Sequence, residues 1–124
     1  MKIVKQIVFS LFGLLLINGG LNKFLNYMPV PEALPEALIK DSIAMMEIAW
    51  LMPLVGTAEI IGGLLILIPR TRALGALIVF PVMVGMLLTH ITVARDGLPI
   101  ALAVWVVLIW IIFDNRRKYY PIIN

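Results

Sequence analysis

The sequence predicts an all-α protein: an integral membrane four-helix bundle with an extra amphipathic surface helix between the first and second spans. Three observations predict it. Hydrophobic residues make up 62% of the 124 residues and charged residues only 14%, whereas soluble domains are nearer half apolar and a quarter charged. The apolar residues fall into four blocks, each close to the ~17–25 residues a membrane crossing needs. The charges gather in the joints between those blocks. Mean hydropathy is +1.05, and the length suits one domain covering 1–124.

The first block, 3–24, opens on Lys2 and Lys5 and continues into an apolar run at 7–17. That start resembles a secretory leader, but no small-residue A-x-A-like cleavage site follows. It reads as the first span. The next stretch carries Glu32, Glu36, Lys40, Asp41 and Glu47 and is too charged to cross. It holds a small echo, PEAL at 31–34 and again at 35–38. Proline followed by glutamate suits a helix start, because proline lacks an N–H that would go unpaired and the carboxylate meets the positive end of the helix dipole. From Pro35, residues Glu36, Lys40 and Glu47 fall near one face, and Leu38, Ile39, Ile43 and Met46 on another. An amphipathic helix over 35–49, lying on the outer membrane surface, is expected. An irregular loop is the competing reading.

The second span is 50–68, with Trp50 as an anchor at its outer end. The turn Pro69-Arg70-Thr71-Arg72 leads into the third span, 73–93, where Pro81 frees the Leu77 carbonyl and kinks the helix. Arg95-Asp96-Gly97 leads into the fourth span, 98–113, and Pro99 suits its start. That span is apolar all round, with Trp105 and Trp110, and is expected to face lipid or a partner subunit. Met83 and Met86 read as ordinary core or lipid contacts. Joints this short force antiparallel neighbours.

Orientation follows from the basic residues. Lys2, Lys5, Arg70, Arg72, Arg116, Arg117 and Lys118 lie on one side, and Lys23, Lys40 and Arg95 on the other. Seven against three places both termini in the cytoplasm. The net charge of +3 therefore reads as topology and anchoring, and no nucleic-acid motif accompanies it. Tyr119 and Tyr120 suit interfacial anchoring. The absence of cysteine excludes thiol chemistry and cysteine-ligated metals on this chain.

Glu59 lies mid-way along the second span. A carboxylate at a bilayer centre costs at least ~2.5–3.5 kcal/mol on insertion scales, so it should face the bundle interior. Gly56, Gly62 and Gly63 lie three or four residues away and share its face, and small residues let another helix approach. The first span offers Asn18, Asn22 and Asn26 at four-residue spacing with Lys23 beside them. The third offers His90, the only histidine, and Thr89. Side chains lean toward their helix N-terminus, so Lys23 and His90 should lean inward and Glu59 outward. The expectation is a polar pocket in the outer half of the bundle, opening beneath the amphipathic segment. Its ligand-binding residues are Glu59, His90, Lys23, Asn22 and Asn18.

Each residue also has a plainer reading. Glu59 and the asparagines serve as interhelical hydrogen bonders, Lys23 snorkels to the surface, and His90 points at headgroups. No metal-ligand spacing, phosphate loop or nucleophile motif is present, and no residue pattern specifies a reaction. One histidine does not complete a metal site, although a haem ligated with help from a second subunit, or a flavin, remains compatible with these residues.

The runs GLLLINGGLNKF and VGTAEIIGGLLILIPRTRALGALIVFPVMVGMLLTHIT resemble the DoxX-like family of small four-span bacterial membrane proteins. The resemblance rests on Gly20, Lys23 and Phe24 closing the first span, Glu59, Gly62 and Gly63 in the second, Arg72 and Gly75 opening the third, and His90. It implies a multi-pass protein of the bacterial inner membrane. Some members are linked to thiosulfate:quinone oxidoreduction, others to complexes handling oxidative or sulfur stress. The resulting expectation is a subunit of a membrane redox system that binds a small lipophilic or quinone-like ligand, with Glu59 as proton carrier or ligand acceptor. The alternative is a non-catalytic scaffold or assembly subunit. A solute or proton pathway is a third reading, opposed by the apolar fourth span. Expected partners are the lipid bilayer, further copies of the chain or a larger membrane complex, with no nucleic acid.

Overall fold

The computed structural model describes residues 2–27 and 34–123. Among them the chain is entirely helical: α1 (Lys2–Leu25), α2 (Glu36–Glu47), α3 (Leu51–Leu67), α4 (Arg72–Thr92), a 3-10 turn at Arg95–Gly97, α5 (Leu98–Asp114) and α6 (Arg116–Ile123). The first PEAL copy, at 31–34, lies outside the described residues apart from Leu34.

Local chemistry explains where the helices stop. α1 ends because Asn26 turns into the left-handed region at φ 51°, a common helix-terminating geometry for asparagine. Its N–H still reaches the Asn22 carbonyl at 2.7 Å. α3 ends at extended Ile68 before Pro69, and the Thr71 hydroxyl donates to the Leu65 carbonyl, 2.8 Å away. α5 opens with Pro99 in its first turn, where the missing N–H costs nothing. α4 runs through Pro81.

Helix packing follows a simple order: α1 lies against α3, α3 against α4, α4 against α5, and α5 returns lightly to α1. The α1–α3 seam is made of backbone. Gly13 and Gly20 are two turns apart on one helix, as are Gly56 and Gly63 on the other. A Cβ on Gly20 would fall 2.6 Å from the Gly56 carbonyl oxygen, and one on Gly63 would fall 2.6 Å from that of Gly13. The α3–α4 seam repeats the device, since a Cβ on Gly75 would lie 2.6 Å from the Gly62 oxygen. The core between the helices comprises Phe9, Phe12, Leu16, Ile66, Ala76, Val79, Met83, Leu108 and Ile111.

α5 is held by side chains. Trp105 Nε1 donates to the Met83 carbonyl at 2.9 Å, its ring stands edge-on to Phe80, and Trp110 stands edge-on to Phe9. The fourth apolar block thus contributes two packing aromatics, where the sequence predicts only a lipid-facing or partner-facing helix.

Helices α1 and α4, and the stretch Arg95–Asp114, are long and apolar enough to cross a membrane. The 17-residue α3 passes that test only together with α2, from which it bends by 94°. α2 has no buried residue. Leu38, Ser42 and Met45 are half-buried, while Ile39, Ile43 and Met46, expected on its apolar face, stay exposed. α6 was not expected as a helix. The basic cluster and tyrosines that read as anchors continue helically, with Tyr119 donating to the Ala73 carbonyl at 2.9 Å.

Candidate functional site

The α1–α3 seam, toward the C-terminal end of α1, contains the polar group that the sequence singles out. Glu59 is 6% exposed, and its Oε1 forms an ion pair with the Lys23 ammonium. Both helices direct the pair together. Lys23 sits in the last turn of α1 and leans back along it, while Glu59 leans the opposite way on the antiparallel α3. The glycines supply the proximity. Lys23 Cβ would lie 3.3 Å from a Cβ on Gly56, and Glu59 Oε2 2.9 Å from one on Gly19. The carboxylate therefore lies over a gap that any side chain at position 19 would close.

Oε1 faces the ammonium without a well-aligned hydrogen bond. Lys23 is not sealed in; its side chain is 23% exposed, against 8% for that of Glu59. The lysine thus links a buried carboxylate to the surface of the bundle.

Asn18 and Asn22 are both engaged. Asn18 meets the Tyr27 hydroxyl, which bonds its side-chain oxygen and donates to its backbone carbonyl at 3.0 Å. Tyr27, just past Asn26, folds back along α1 to make these contacts; nothing in the sequence pattern marked it out.

His90 sits apart from the pair. Its Nδ1 lies 2.8 Å from the Met86 carbonyl. A carbonyl only accepts, so Nδ1 carries the proton in that bond. The ring edge lies against Gly97, with Cδ2 2.7 Å and Nε2 2.9 Å from a Cβ placed there. The histidine belongs to the corner between α4 and the Arg95–Gly97 turn. The Gly62–Gly75 contact explains why: at ~1.5 Å rise per residue it leaves His90 roughly 18 Å beyond Glu59 along the bundle. Thr89 bonds within its own helix, to the Gly85 carbonyl. The expected convergence of three helices is thus, for charged groups, a meeting of two.

The surroundings of Glu59 are also tighter than an outward-opening pocket. Phe24 closes over Gly56, with a ring carbon 3.0 Å from a Cβ there. A hollow of about 380 Å³ lies elsewhere, between α1 and α5, lined by Val8, Leu11, Phe12, Leu15, Ala103, Val104 and Val107. Among the described residues no cluster of three potential metal ligands occurs.

A second polar centre lies at the other end and was missed. Arg72, expected only as a turn residue and topology signal, is 2% exposed. Its Nε donates to the Ile66 carbonyl at 2.7 Å and its Nη1 to Gln6 Oε1 at 3.1 Å. The guanidinium lies 5.1 Å from the Phe9 ring centre, and Asp114 acts on it electrostatically. Nη2 has no hydrogen-bond partner. Arg72 therefore joins α1, α3 and α4.

The family profile of a domain of unknown function, DUF8561, matches residues 12–111. The chain belongs to the DUF8561 family. The matched stretch includes Lys23, Glu59, Arg72, His90 and Trp105, and stops before α6. No curated protein and no solved structure matches this DUF8561 chain.

Proposed function

We propose that the chain is a four-span protein of a bacterial inner membrane, with both termini cytoplasmic and α2 on the outer surface, acting as a non-catalytic assembly subunit of a membrane complex or homo-oligomer. The membrane reading is supported by the outward faces, where Leu11, Leu14, Leu15, Leu74, Phe80, Leu88, Leu102, Val106 and Ile109 are exposed. Such a surface is far more apolar than a soluble monomer tolerates. The basic residues at one end support the orientation.

The observation that carries the assembly role is the closed α1–α3 seam. Glu59 is packed against glycine backbone and held by Lys23, so the pair serves as a lock between two helices. A lock gives the bundle one register and a fixed outer surface for partners, the best-attested use of buried polar groups.

A second reading, a redox subunit holding a small lipophilic or quinone-like ligand, is favoured by one observation. The lysine paired with the buried carboxylate reaches the surface. A headgroup arriving from the outer side would meet that lysine first. The DoxX-like resemblance supports this reading as well.

Mass spectrometry of the protein purified in mild detergent separates the two. The assembly reading predicts protein partners or further copies, and no lipophilic adduct that depends on Glu59. A quinone-like adduct lost in Glu59→Gln, with the variant still folded, would replace it by the ligand reading.

A further inference from the structure

The cytoplasmic-side end carries a feature that neither reading uses. Asp114, Asn115, Arg116, Arg117 and Lys118 line a hollow of about 290 Å³ where α5 gives way to α6. Its one carboxylate is already taken, because Lys5 Nζ lies 2.9 Å from Asp114 Oδ1. The three cations are exposed and have no acidic neighbour on α6. Lys118 Nζ donates to the Pro69 carbonyl at 3.1 Å, which brings α6 beside the turn bearing exposed Arg70. The Arg116 guanidinium folds back over Phe113, 4.4 Å from the ring centre. Around the cations, Ile109, Phe113, Tyr120, Ile122 and Ile123 are exposed.

We propose that this hollow binds the phosphodiester headgroup of an anionic phospholipid, with the acyl chains lying along α5 past Phe113 and Ile109. Cations that form no ion pair among the described residues, at an apolar rim, match a ligand that is anionic at one end and apolar at the other. A free phosphate would leave the exposed apolar side chains uncovered. This proposal rests on the membrane-spanning reading but on neither role assigned to Glu59.

The test is native mass spectrometry of the full chain in detergent, with added phosphatidylglycerol or phosphatidylcholine and, in a separate arm, inorganic phosphate. Phosphatidylglycerol adducts are expected to survive at least fivefold better than phosphatidylcholine adducts. Each cation removed should weaken retention about fivefold, from roughly 1 kcal/mol per basic residue. Arg117→Gln alone tests this without touching the Lys118 and Arg116 contacts; Arg116→Gln/Arg117→Gln/Lys118→Gln gives the larger loss. Equal retention of the two lipids, unchanged retention in both variants, or displacement of the lipid by millimolar phosphate would each overturn the proposal. Resistance of the chain to carbonate extraction from membranes reads the spanning claim separately.

Discussion

The α1–α3 seam and the α4–α5 seam address the same problem in opposite ways. Each joins helices that are apolar nearly all round, and on the membrane-spanning reading the hydrophobic effect supplies little attraction between them. The first seam removes side chains, so that Gly13, Gly20, Gly56 and Gly63 bring backbone to backbone, and it adds a single ion pair. The second keeps large side chains and specifies the contact with one indole hydrogen bond, Trp105 to Met83. Close approach leaves no room to adjust, while an aromatic contact tolerates small shifts. The glycine seam should therefore fail abruptly and the tryptophan seam gradually.

The largest effect is expected from Gly20→Leu. The new side chain meets the Gly56 carbonyl and Ile60, so α1 must move away, and a loss of about 3 kcal/mol or more is expected from overpacking. Thermal unfolding in detergent reads it. Gly85→Ala is the control, because nothing lies within 4 Å of its Cβ position; it should be neutral or stabilising by about 0.5–1 kcal/mol. Equal losses in the two variants would remove the distinction.

Arg72→Leu should come next. It strips the Ile66 carbonyl and Gln6 of a charged donor, at a loss of about 2–3 kcal/mol. Arg72→Lys should recover only part, since an ammonium cannot copy the planar fork or its stacking on Phe9. Full rescue by lysine would reduce Arg72 to a point charge.

Trp105→Phe keeps the aromatic edge on Phe80 and loses the bond to Met83, for about 1 kcal/mol. A loss as large as that of Gly20→Leu would make the two seams alike.

The smallest effect concerns pH. Burial pushes the Tyr119 phenol above its ordinary value of 10.0. Folding therefore favours the neutral phenol. Below the ordinary value both states are neutral and the contribution is fully present. As pH rises through 10.0 toward the raised folded value, the unfolded chain ionises first and stability falls. Tyr119→Phe should flatten that alkaline decline in a melting series; an unchanged slope would assign the decline to other groups.

How much could be read beforehand depended on whether a feature is local. Helix ends were legible because Pro69, Gly97 and Pro99 act where they stand. The inward face of Glu59 was legible because Gly56, Gly62 and Gly63 share its side of one helix. Its meeting with Lys23 followed from the opposed lean of side chains on antiparallel helices. His90 was misplaced because its height relative to Glu59 depends on the Gly62–Gly75 contact, an interhelical register that no spacing within one helix encodes. Arg72 was overlooked because a cation at the end of an apolar block reads equally as a topology signal and as a buried tie. α6 was overlooked because Arg, Lys and Tyr after a span suit an anchor whether helical or not.

The central claim is that the Lys23–Glu59 pair locks α1 to α3, and a double-mutant cycle on thermal stability in detergent tests it most directly. Lys23→Met strands a buried carboxylate and should lose about 3 kcal/mol; Glu59→Leu should lose less, because the lysine can turn outward to water. The combined variant should recover to within about 1 kcal/mol of the parent, a strong coupling between the two positions. Losses that simply add would show two independent side chains and contradict the lock.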